Sequence, residues 1–420
     1  MRIDRLTIQN FRKFEELTFE LHPQFNLLVG TNGSGKTTII KALANALSVW
    51  SRFPQTGFAA WDIQLEDARI VPTLNGDRVQ FQQQLPVTVH ARGKIGEVNE
   101  NAWMQKLAGE SYMWVGPVEM KLPACLPAIA IYGVNRATVY DGEIISSFQK
   151  AQRSDAYKNW FDTKINYGNL RAWLRDETTA AGANKGRYRP GYEAVRRAIL
   201  DCLPDADELW FDVDYKDLVC SINGQAQPLS NLSDGQRMLL AMVADLAIKA
   251  VTLNAYLLPP DTSGTEERLL RVLKETPGVV LIDELDLHLH PSWQRRVAAD
   301  LKRTFPSIQF IATSHSPQII GELEREEIRL LKDDRVELPP VARGADSNWI
   351  LDHVMENSAS ENLTARQLKD EAEEALAEGD LSTAHKKLEA FRDLLDGETG
   401  DLIRLESSLA TLEALEGVGV

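Results

Sequence analysis

The sequence predicts an α/β fold: a mixed sheet with a phosphate-binding loop and an antiparallel β lobe, together with a helical insertion and a C-terminal helical tail. The apolar run Phe25–Val29 ends in a glycine-rich loop that opens a helix, as a buried strand feeding a helix does. Two further apolar runs, Gly278–Ile282 and Ile308–Thr313, are separated by the helical stretch Pro291–Thr304. Short alternating runs with glycine and proline between them fill residues 50–130 and predict the β lobe.

Changes in sequence pattern divide the 420 residues into four predicted parts. Residues 1–140 and 204–357 contain the strand signals and are predicted to form two halves of one α/β head. Residues 141–203 carry aromatic and aliphatic side chains among charges without alternation, which is typical of a helical lobe. Residues 358–420 are predicted to form an acidic helical module. Its helices are expected at Thr364–Glu378, Leu381–Leu395 and Leu402–Leu415.

The charge of the chain is unevenly distributed. The net charge is -15, and residues 361–420 alone hold 15 acidic and 6 basic residues, so the body is only mildly acidic. Such a body permits a local basic face but does not demand one. No apolar run approaches the ~20 residues of a membrane helix, and charges stand where a signal peptide needs its apolar core. The three cysteines have no metal or disulfide spacing, so we expect a cytoplasmic protein without a membrane partner.

The sequence Gly-Thr-Asn-Gly-Ser-Gly-Lys-Thr at 30–37 matches a phosphate-binding loop. Its glycines let backbone N–H groups curl around phosphate oxygens, and the N-terminus of the next helix adds positive dipole. Lys36 is predicted to reach the β- and γ-phosphates of ATP, and the Thr37 hydroxyl to bind Mg²⁺. The pattern is specific here because it lies between an apolar strand and an apolar-striped helix.

Two carboxylates follow the apolar strand Val279–Ile282. Ligands gather at the carboxyl ends of strands in open α/β sheets, so Asp283 and Glu284 are predicted to face the nucleotide. Asp283 would hold the Mg²⁺ shell, and Glu284 would orient and polarise the attacking water. Two acids at a strand end are common, and their meaning here depends on the other motifs.

Two more segments bring polar groups to element ends. The sequence Leu-Ser-Asp-Gly-Gln-Arg opens an apolar helical segment, where Ser233 is either a plain N-cap or part of an anion-binding surface. The sequence Thr-Ser-His at 313–315 begins at the last residue of the run Ile308–Thr313 and places His315 at the same predicted sheet edge.

Along the chain the order is phosphate loop, Leu-Ser-Asp-Gly-Gln, Ile-Asp-Glu and Thr-Ser-His. The four motifs in this order resemble the ATPase heads of the ABC superfamily, in its SMC/RecF-like branch. The opening Asn-Phe-Arg at 10–12 and the Leu-His-Leu-His-Pro segment at 287–291 are similar to that branch. The resemblance is specific over residues 1–40 and 225–325, and it implies ATP and Mg²⁺ as cofactors. The nucleotide-binding residues that it implies are Arg12, Asn32, Gly33, Ser34, Gly35, Lys36, Thr37, Thr38, Ser233, Gly235 and Gln236.

The resemblance also implies roles in hydrolysis. Glu284, Lys36 and His315 would be the catalytic residues, and His315 would sense the γ-phosphate. Thr37 and Asp283 would hold the metal. Heads of this type add a glutamine to the Mg²⁺ site. Gln64 is the candidate for it, and the competing candidates are Gln82, Gln83 and Gln84.

A pairing of heads follows from the same resemblance. In this superfamily the Leu-Ser-Asp-Gly-Gln element of one head caps the ATP held by the loop of another. Ser233, Gly235 and Gln236 would therefore act in trans, and Asp286 would lie in the seam. The chain is expected to work as a head-to-head dimer or a larger oligomer.

Three further features of the sequence, a histidine-containing segment, a basic cluster and two tryptophans, each allow more than one interpretation. The segment 286–290 with His315 could be drawn as a zinc site, but the motifs already explain each residue. The basic residues at 185–197 are more typical of a solvated helical face than of a nucleic-acid contact. Trp160 and Trp173 are predicted to be core residues rather than base-stacking platforms.

The full layout, including the helical tail, is similar to the PtuA family of antiphage ATPases found in Septu systems and beside some retrons. This implies a sensor or regulatory ATPase that controls a separate HNH nuclease similar to PtuB. A retron reverse transcriptase with its msDNA, or other DNA, is a further implied partner. The alternatives are a RecF-like DNA repair ATPase and, disfavoured by the Asn-Phe-Arg opening, a transporter ATPase subunit. The acidic tail is either a docking module or a solvated cap.

Overall fold

The computed structural model describes most of the chain. It covers residues 1–51, 62–75, 78–95, 98–108, 111–115, 125–137, 152–157, 160–262, 265–355, 363–395 and 399–417. The chain divides into two compact units, residues 1–350 and 351–420, and each is described by itself.

The strands of the first unit are numbered in chain order. They are β1 (Arg2–Phe11), β2 (Phe14–Glu20), β3 (Phe25–Val29), β4 (Arg69–Asn75), β5 (Arg78–Gln84), β6 (Val87–Ile95), β7 (Val98–Ala108), β8 (Ser111–Val115), β9 (Ala128–Tyr132), β10 (Ala206–Asp212), β11 (Asp217–Ile222), β12 (Gln225–Pro228), β13 (Gly278–Ile282), β14 (Ile308–Thr313), β15 (Ile328–Lys332) and β16 (Arg335–Glu337).

The helices continue into the second unit. They are α1 (Lys36–Ser51), α2 (Tyr167–Ala183), α3 (Pro190–Cys202), α4 (Asp234–Leu253), α5 (Glu266–Glu275), α6 (Pro291–Thr304), α7 (Pro317–Ile320), α8 (Ser347–His353), α9 (Leu363–Glu378), α10 (Leu381–Leu394) and α11 (Gly400–Gly417). Within the described part of the chain, none of them has the length and apolar content needed to cross a bilayer.

The central sheet is the layer on which the candidate site is built. Its strand order is β16-β15-β3-β14-β13-β9, and the five strands from β15 to β9 are parallel. Every residue of β3, β9, β13 and β14 is buried, as near-continuous apolar runs predict for a sheet covered on both faces. The carboxyl ends of these strands therefore lie at one edge, where ligands of open α/β sheets bind.

An antiparallel sheet forms the predicted β lobe, with the strand order β2-β1-β6-β7-β8. The mixed sheet with an antiparallel lobe is confirmed, and the lobe also recruits β1 and β2 from the start of the chain. β4 and β5 form a separate hairpin in which Pro72 pairs with Phe81 and Leu74 with Val79. Leu74, Val79 and Phe81 are exposed, so one face of this hairpin is apolar and open to solvent.

The predicted helical lobe at 141–203 is described only from residue 152 onward, apart from 158–159. It contains α2 and α3, and α3 packs against α4, α5 and α6. Trp160 and Trp173 are buried, which confirms them as core residues. The nearby arginines pair with carboxylates, as on a solvated face. These pairs are Arg189 with Glu177, Arg196 with Glu193, and Arg197 with Asp201 and Glu266.

The turn between β11 and β12 has a strong local sequence signal, the pair Asn223-Gly224. Asn223 and Gly224 have φ values of 51° and 74°, and two successive positive φ angles are what a tight hairpin turn requires. The asparagine–glycine pair tolerates this conformation, which closes the three-stranded sheet β10-β11-β12.

The second unit contains three acidic helices, α9 to α11, which confirms the helical tail. They enclose a hydrophobic core that includes Ala384, Leu388, Phe391 and Leu402. Ion pairs join the helices to one another on the outside, for example Lys369 with Asp401 at 2.8 Å. Residues 356–362 and 396–398, which include the predicted start of this module and the break after α10, lie outside the described part of the chain.

We expect a chain that ends at Met355 to stay folded and to bind ATP with an affinity within about twofold of the full chain. The reason is that the three tail helices bury their apolar side chains against one another. Removing all three helices together therefore leaves none of these side chains exposed to water. Thermal unfolding and equilibrium binding of a fluorescent ATP analogue measure both properties. Aggregation or lost ATP binding would show instead that the tail belongs to the core of the head.

Candidate active site

The phosphate loop joins β3 to α1 at the carboxyl edge of the central sheet. Gly33 and Gly35 have φ values of 78° and 105°, the left-handed region that glycine enters without strain. A Cβ on Gly35 would lie 2.5 Å from the Phe14 ring. The loop conformation thus requires glycine at 35 for two reasons, the backbone angle and the close approach of Phe14.

Lys36 lies at the mouth of this loop and is buried. Its ammonium group donates to the carbonyl oxygens of Gly30 at 2.8 Å and Thr31 at 3.0 Å. Burial lowers the pKa of Lys36, whereas the carboxylates at 283, 284 and 286 raise it. The loop therefore presents a lysine cation and the N-terminus of α1 together, as a polyphosphate site requires.

The carboxylate of Asp283 lies at the centre of the site. It accepts hydrogen bonds from the Thr37 hydroxyl at 3.0 Å and from the Thr313 hydroxyl at 2.7 Å. Hydroxyl and carboxylate oxygens are ligands that Mg²⁺ takes in small number, with phosphate and water completing its octahedron. Thr37 and Asp283 therefore fit a divalent metal bound together with a nucleotide.

The chain changes direction at Glu284, two residues after the end of β13. Its φ is 53°, a left-handed angle that costs a residue with a side chain on the order of 1–3 kcal/mol. Its N–H donates to the Thr313 hydroxyl at 2.7 Å, and the neighbouring Asp283 N–H donates to the Tyr132 carbonyl at 2.8 Å. These bonds hold the strained backbone in place, and Glu284 lines the cavity in front of it.

A buried carboxylate with two cationic partners supports the part of the cavity wall that contains Arg12, Glu66 and Ala68. Asp67 is fully buried and contacts Arg12 at 3.0 Å and Lys41 at 2.7 Å. Burial raises the pKa of Asp67, but hydrogen bonds from Lys41, the Gln64 N–H and Arg12 outweigh burial and leave it below its ordinary value. Arg12 is thereby oriented at the cavity wall.

His315 follows β14 at the same edge, and its backbone N–H donates to Asp286 Oδ1 at 3.3 Å. Burial and the Lys36 cation lower the pKa of His315, while the nearby carboxylates raise it less. The imidazole is therefore mainly neutral at pH 7. Gln294 holds this region together, since its amide donates to the Leu289 carbonyl at 2.8 Å and accepts from Ser316 Oγ at 2.6 Å.

The Leu-Ser-Asp-Gly-Gln element opens α4 with a capping box. The Gln236 N–H donates to Ser233 Oγ at 3.3 Å, and the Ser233 N–H donates to Gln236 Oε1 at 2.9 Å. A Cβ on Gly235 would lie 2.2 Å from the His288 carbonyl oxygen, so only glycine fits there. Ser233 is exposed, and none of these three predicted ligands lines the cavity of its own chain.

The site itself is an open cavity of about 730 Å³ at the sheet edge. It brings together most of the residues predicted from the sequence, while Ser34 lies in the loop without lining it. The predicted residues that line the cavity are Arg12, Asn32, Gly33, Gly35, Lys36, Thr37, Thr38, Asp283, Glu284 and His315.

Gln64 is not brought to this cavity. It is exposed, and its amide group donates to the Asp62 carbonyl at 3.1 Å. The competing glutamines at 82–84 are on β5 and do not line the cavity either. The zinc interpretation also gains no support, because the described residues contain no cluster of three or more His, Cys, Asp or Glu side chains able to hold a metal.

Two residues that contact Asp283 and Glu284 are not among those predicted from the sequence, and neither are the lining residues Lys13, Glu66, Ala68 and Ile70. Thr313 was part of a recognised motif, but its hydroxyl contacts to Asp283 and Glu284 depend on the pairing of β14 with β13. Arg136 follows β9, and its buried guanidinium donates to the backbone carbonyls of Asp283 and Glu284. The one signal for Arg136 was its position just after an apolar strand.

Two family models match the chain at the segments that build this site. The first, an AAA domain, matches residues 5–77, which hold Arg12 and the phosphate loop. The second, an AAA domain whose description names the AbiEii toxin and type IV toxin–antitoxin systems, matches residues 220–321, which hold both acidic residues and His315. Both segments that build the site are thus similar to ATPase domains. The prediction of an ATP-hydrolysing enzyme is confirmed.

Relatives match over most of the chain. The retron Ec83 ATPase of Escherichia coli is 26% identical over 85% of this chain and 76% of its own length. The Septu protein PtuA of Bacillus thuringiensis is 23% identical over 84% of this chain and 83% of its own length. An SMC head domain from Thermotoga maritima aligns with 81% of this ATPase and 99% of that structure, at 15% identity and a TM-score of 0.43. The predicted resemblance to retron and Septu ATPases is thus confirmed.

Replacing the acid at the end of β13, Glu284→Gln, should leave ATP binding intact and lower the hydrolysis rate by a factor on the order of 10²–10⁴, the range for loss of a positioned base. Steady-state phosphate release and equilibrium ATP binding separate the two effects. Glu322→Gln, at an exposed carboxylate outside the cavity, is the matched control and should hydrolyse ATP normally. Normal turnover in Glu284→Gln would remove Glu284 from this role.

Lys36→Ala should act earlier in the cycle and weaken ATP binding itself. The ammonium group is the buried cation of the loop, so its loss removes the charge that faces the polyphosphate. We expect the dissociation constant for ATP to rise by about tenfold or more, measured by calorimetry at fixed Mg²⁺. An unchanged constant would place the phosphates elsewhere.

Proposed function

We propose that this ATPase works as a pair of heads that share two composite ATP sites, with Mg²⁺ as the metal. The observation that carries the proposal is the position of Ser233: it is exposed at the start of α4 and does not line the cavity of its own chain. A helix N-terminus with a free outer face is suited to bind an anion brought from outside. The γ-phosphate of ATP held by a second copy is such an anion.

We further propose that the ATPase is the sensor or regulatory subunit of an antiphage complex and controls a separate HNH nuclease. The similarity to retron and Septu proteins over most of the chain supports this assignment. In a complex with a retron, the reverse transcriptase and its msDNA would be further partners. Formation of the head pair on ATP binding would then be the signal that the nuclease receives.

The tail is the proposed docking module for that partner. Its charge and its separate core support the proposal, since three acidic helices that form their own compact unit present a negative outer surface. A partner with a basic face would be attracted to it.

Mixing two inactive variants tests the composite site. Ser233→Arg places a bulky cation where the partner's γ-phosphate should bind, and Lys36→Ala disables the loop. If the action is in trans, mixed dimers contain one intact site. Random exchange should then restore about a quarter of the wild-type rate, because half of the dimers are mixed and each carries one of two sites.

The controls for this experiment are each variant alone and a mass measurement that confirms mixed dimers. Each variant alone should be nearly inactive, and Ser233→Arg should still bind ATP. Confirmed mixed dimers without any recovery of hydrolysis would reject action in trans.

Co-purification with the products of the neighbouring genes tests the complex. The full chain should retain an HNH nuclease, and the chain ending at Met355 should lose it while still hydrolysing ATP. Retention by the shortened chain would reject the tail as the docking site. Absence of any nuclease partner, together with ATP-dependent binding at DNA gaps, would favour the RecF-like alternative.

A further inference from the structure

Arg136 is a buried cation that contacts both acidic residues of the site through their backbone. It lies in the 3₁₀ turn Val134–Ala137 after β9, and its exposed fraction is 0%. One terminal nitrogen donates to the carbonyl oxygens of Gly133 at 3.0 Å and of Asp283, and the other donates to the carbonyl oxygen of Glu284. A single guanidinium group thus spans two successive carbonyls at the end of β13.

These two carbonyls flank the point at which the chain leaves the strand. The N–H groups of the same residues are held by the Tyr132 carbonyl and the Thr313 hydroxyl. Arg136 donates to the two carbonyl oxygens, so the N–H and the C=O of both Asp283 and Glu284 have hydrogen-bond partners. A planar fork of donors is suited to two adjacent carbonyls, whereas the ammonium of a lysine is a point donor on a flexible stem.

The charge of Arg136 also matters at this position. Burial lowers the pKa of Arg136, and the carboxylates of Asp283, Asp286 and Glu284 offset only part of this effect. The pKa is left at about 10, so the group stays protonated at pH 7. A permanent cation behind three carboxylates offsets their mutual repulsion. Arg136 does not line the cavity, so it can act on the site only through the backbone and the charges of the residues that do.

The same chain contains a second buried arginine with the same kind of partners. Arg329 on β15 donates to the carbonyl oxygens of Glu20, Glu326 and Ile328. It is 8% exposed, and none of these three partners lines the cavity. Arg329 therefore shows what a buried arginine contributes to the fold alone.

We propose that Arg136 is a positioning residue for ATP hydrolysis. It holds the backbone at Asp283 and Glu284 and thereby orients the Glu284 carboxylate toward the attacking water, without touching the nucleotide. The proposal rests on the role of Glu284 as the group that polarises this water.

Arg136→Lys is the first test, with Arg329→Lys as the matched control. Both variants keep the charge and lose the planar fork, so both should lower the melting temperature. Only Arg136→Lys should lower kcat, by a factor on the order of 10 to 100, because a displacement of about 1 Å in a reacting group has an effect of that size. The affinity for ATP should stay within about threefold of wild type in both.

The decisive measurement combines the variant with Glu284→Gln under single-turnover conditions. If Arg136 acts through Glu284, Arg136→Lys should slow the Glu284→Gln protein by less than about threefold, although it slows the wild type strongly. Equal slowing in both backgrounds would overturn the proposal. Normal hydrolysis by Glu284→Gln alone would instead refute the role of Glu284, which is a separate failure.

Two further outcomes would also overturn the proposal. One is an equal loss of kcat in Arg329→Lys at a matched loss of melting temperature. The other is a failure of both Arg136→Lys and Arg136→Gln to fold and bind ATP, as judged by circular dichroism and by binding of a fluorescent analogue. In that case Arg136 is a folding element.

Discussion

The carboxylate of Asp283 accepts hydrogen bonds from the hydroxyl groups of Thr37 and Thr313, and so it ties the helix after the phosphate loop to two central strands. These residues are far apart in the chain and meet because β3, β14 and β13 are parallel neighbours in that order. A register slip of one residue would point these groups to the wrong side of the sheet. Lys36, Glu284 and His315 owe their positions to the same register.

Features that depend on neighbouring residues in the chain could be predicted from the sequence. Gly35 predicts a loop with a backbone angle that other residues avoid, and the structure has that angle. Asn223 and Gly224 predict a turn because this pair tolerates two successive positive φ angles. The tail helices follow from local apolar spacing and from breaks such as Gly379, whose φ is 76°. The cavity residues near the phosphate loop and β13 were found for the same reason, since each motif is short and its chemistry is local.

Features that depend on distant contacts could not be predicted in this way. The position of Arg136 just after an apolar strand does not reveal its role, because that role arises from the parallel pairing of β9 with β13, which brings Tyr132 beside Ile282. Gln64 has the right chemistry for a metal site, but Glu66 and Ala68 line the cavity in its place, and the sequence alone does not decide which residue of this segment faces the cavity. The exposed apolar face of the β4–β5 hairpin likewise depends on which elements cover it, and periodicity carries no information about that.

The separate core of the tail has a consequence for how this protein can evolve. Ala384, Leu388 and Phe391 constrain the inside of the three helices, while the outward-facing positions carry no part of that packing. Substitutions at those positions have small effects on folding. The outer surface of the tail can therefore adapt to a changing partner while the tail keeps its fold, whereas the residues around Asp283 have no such freedom.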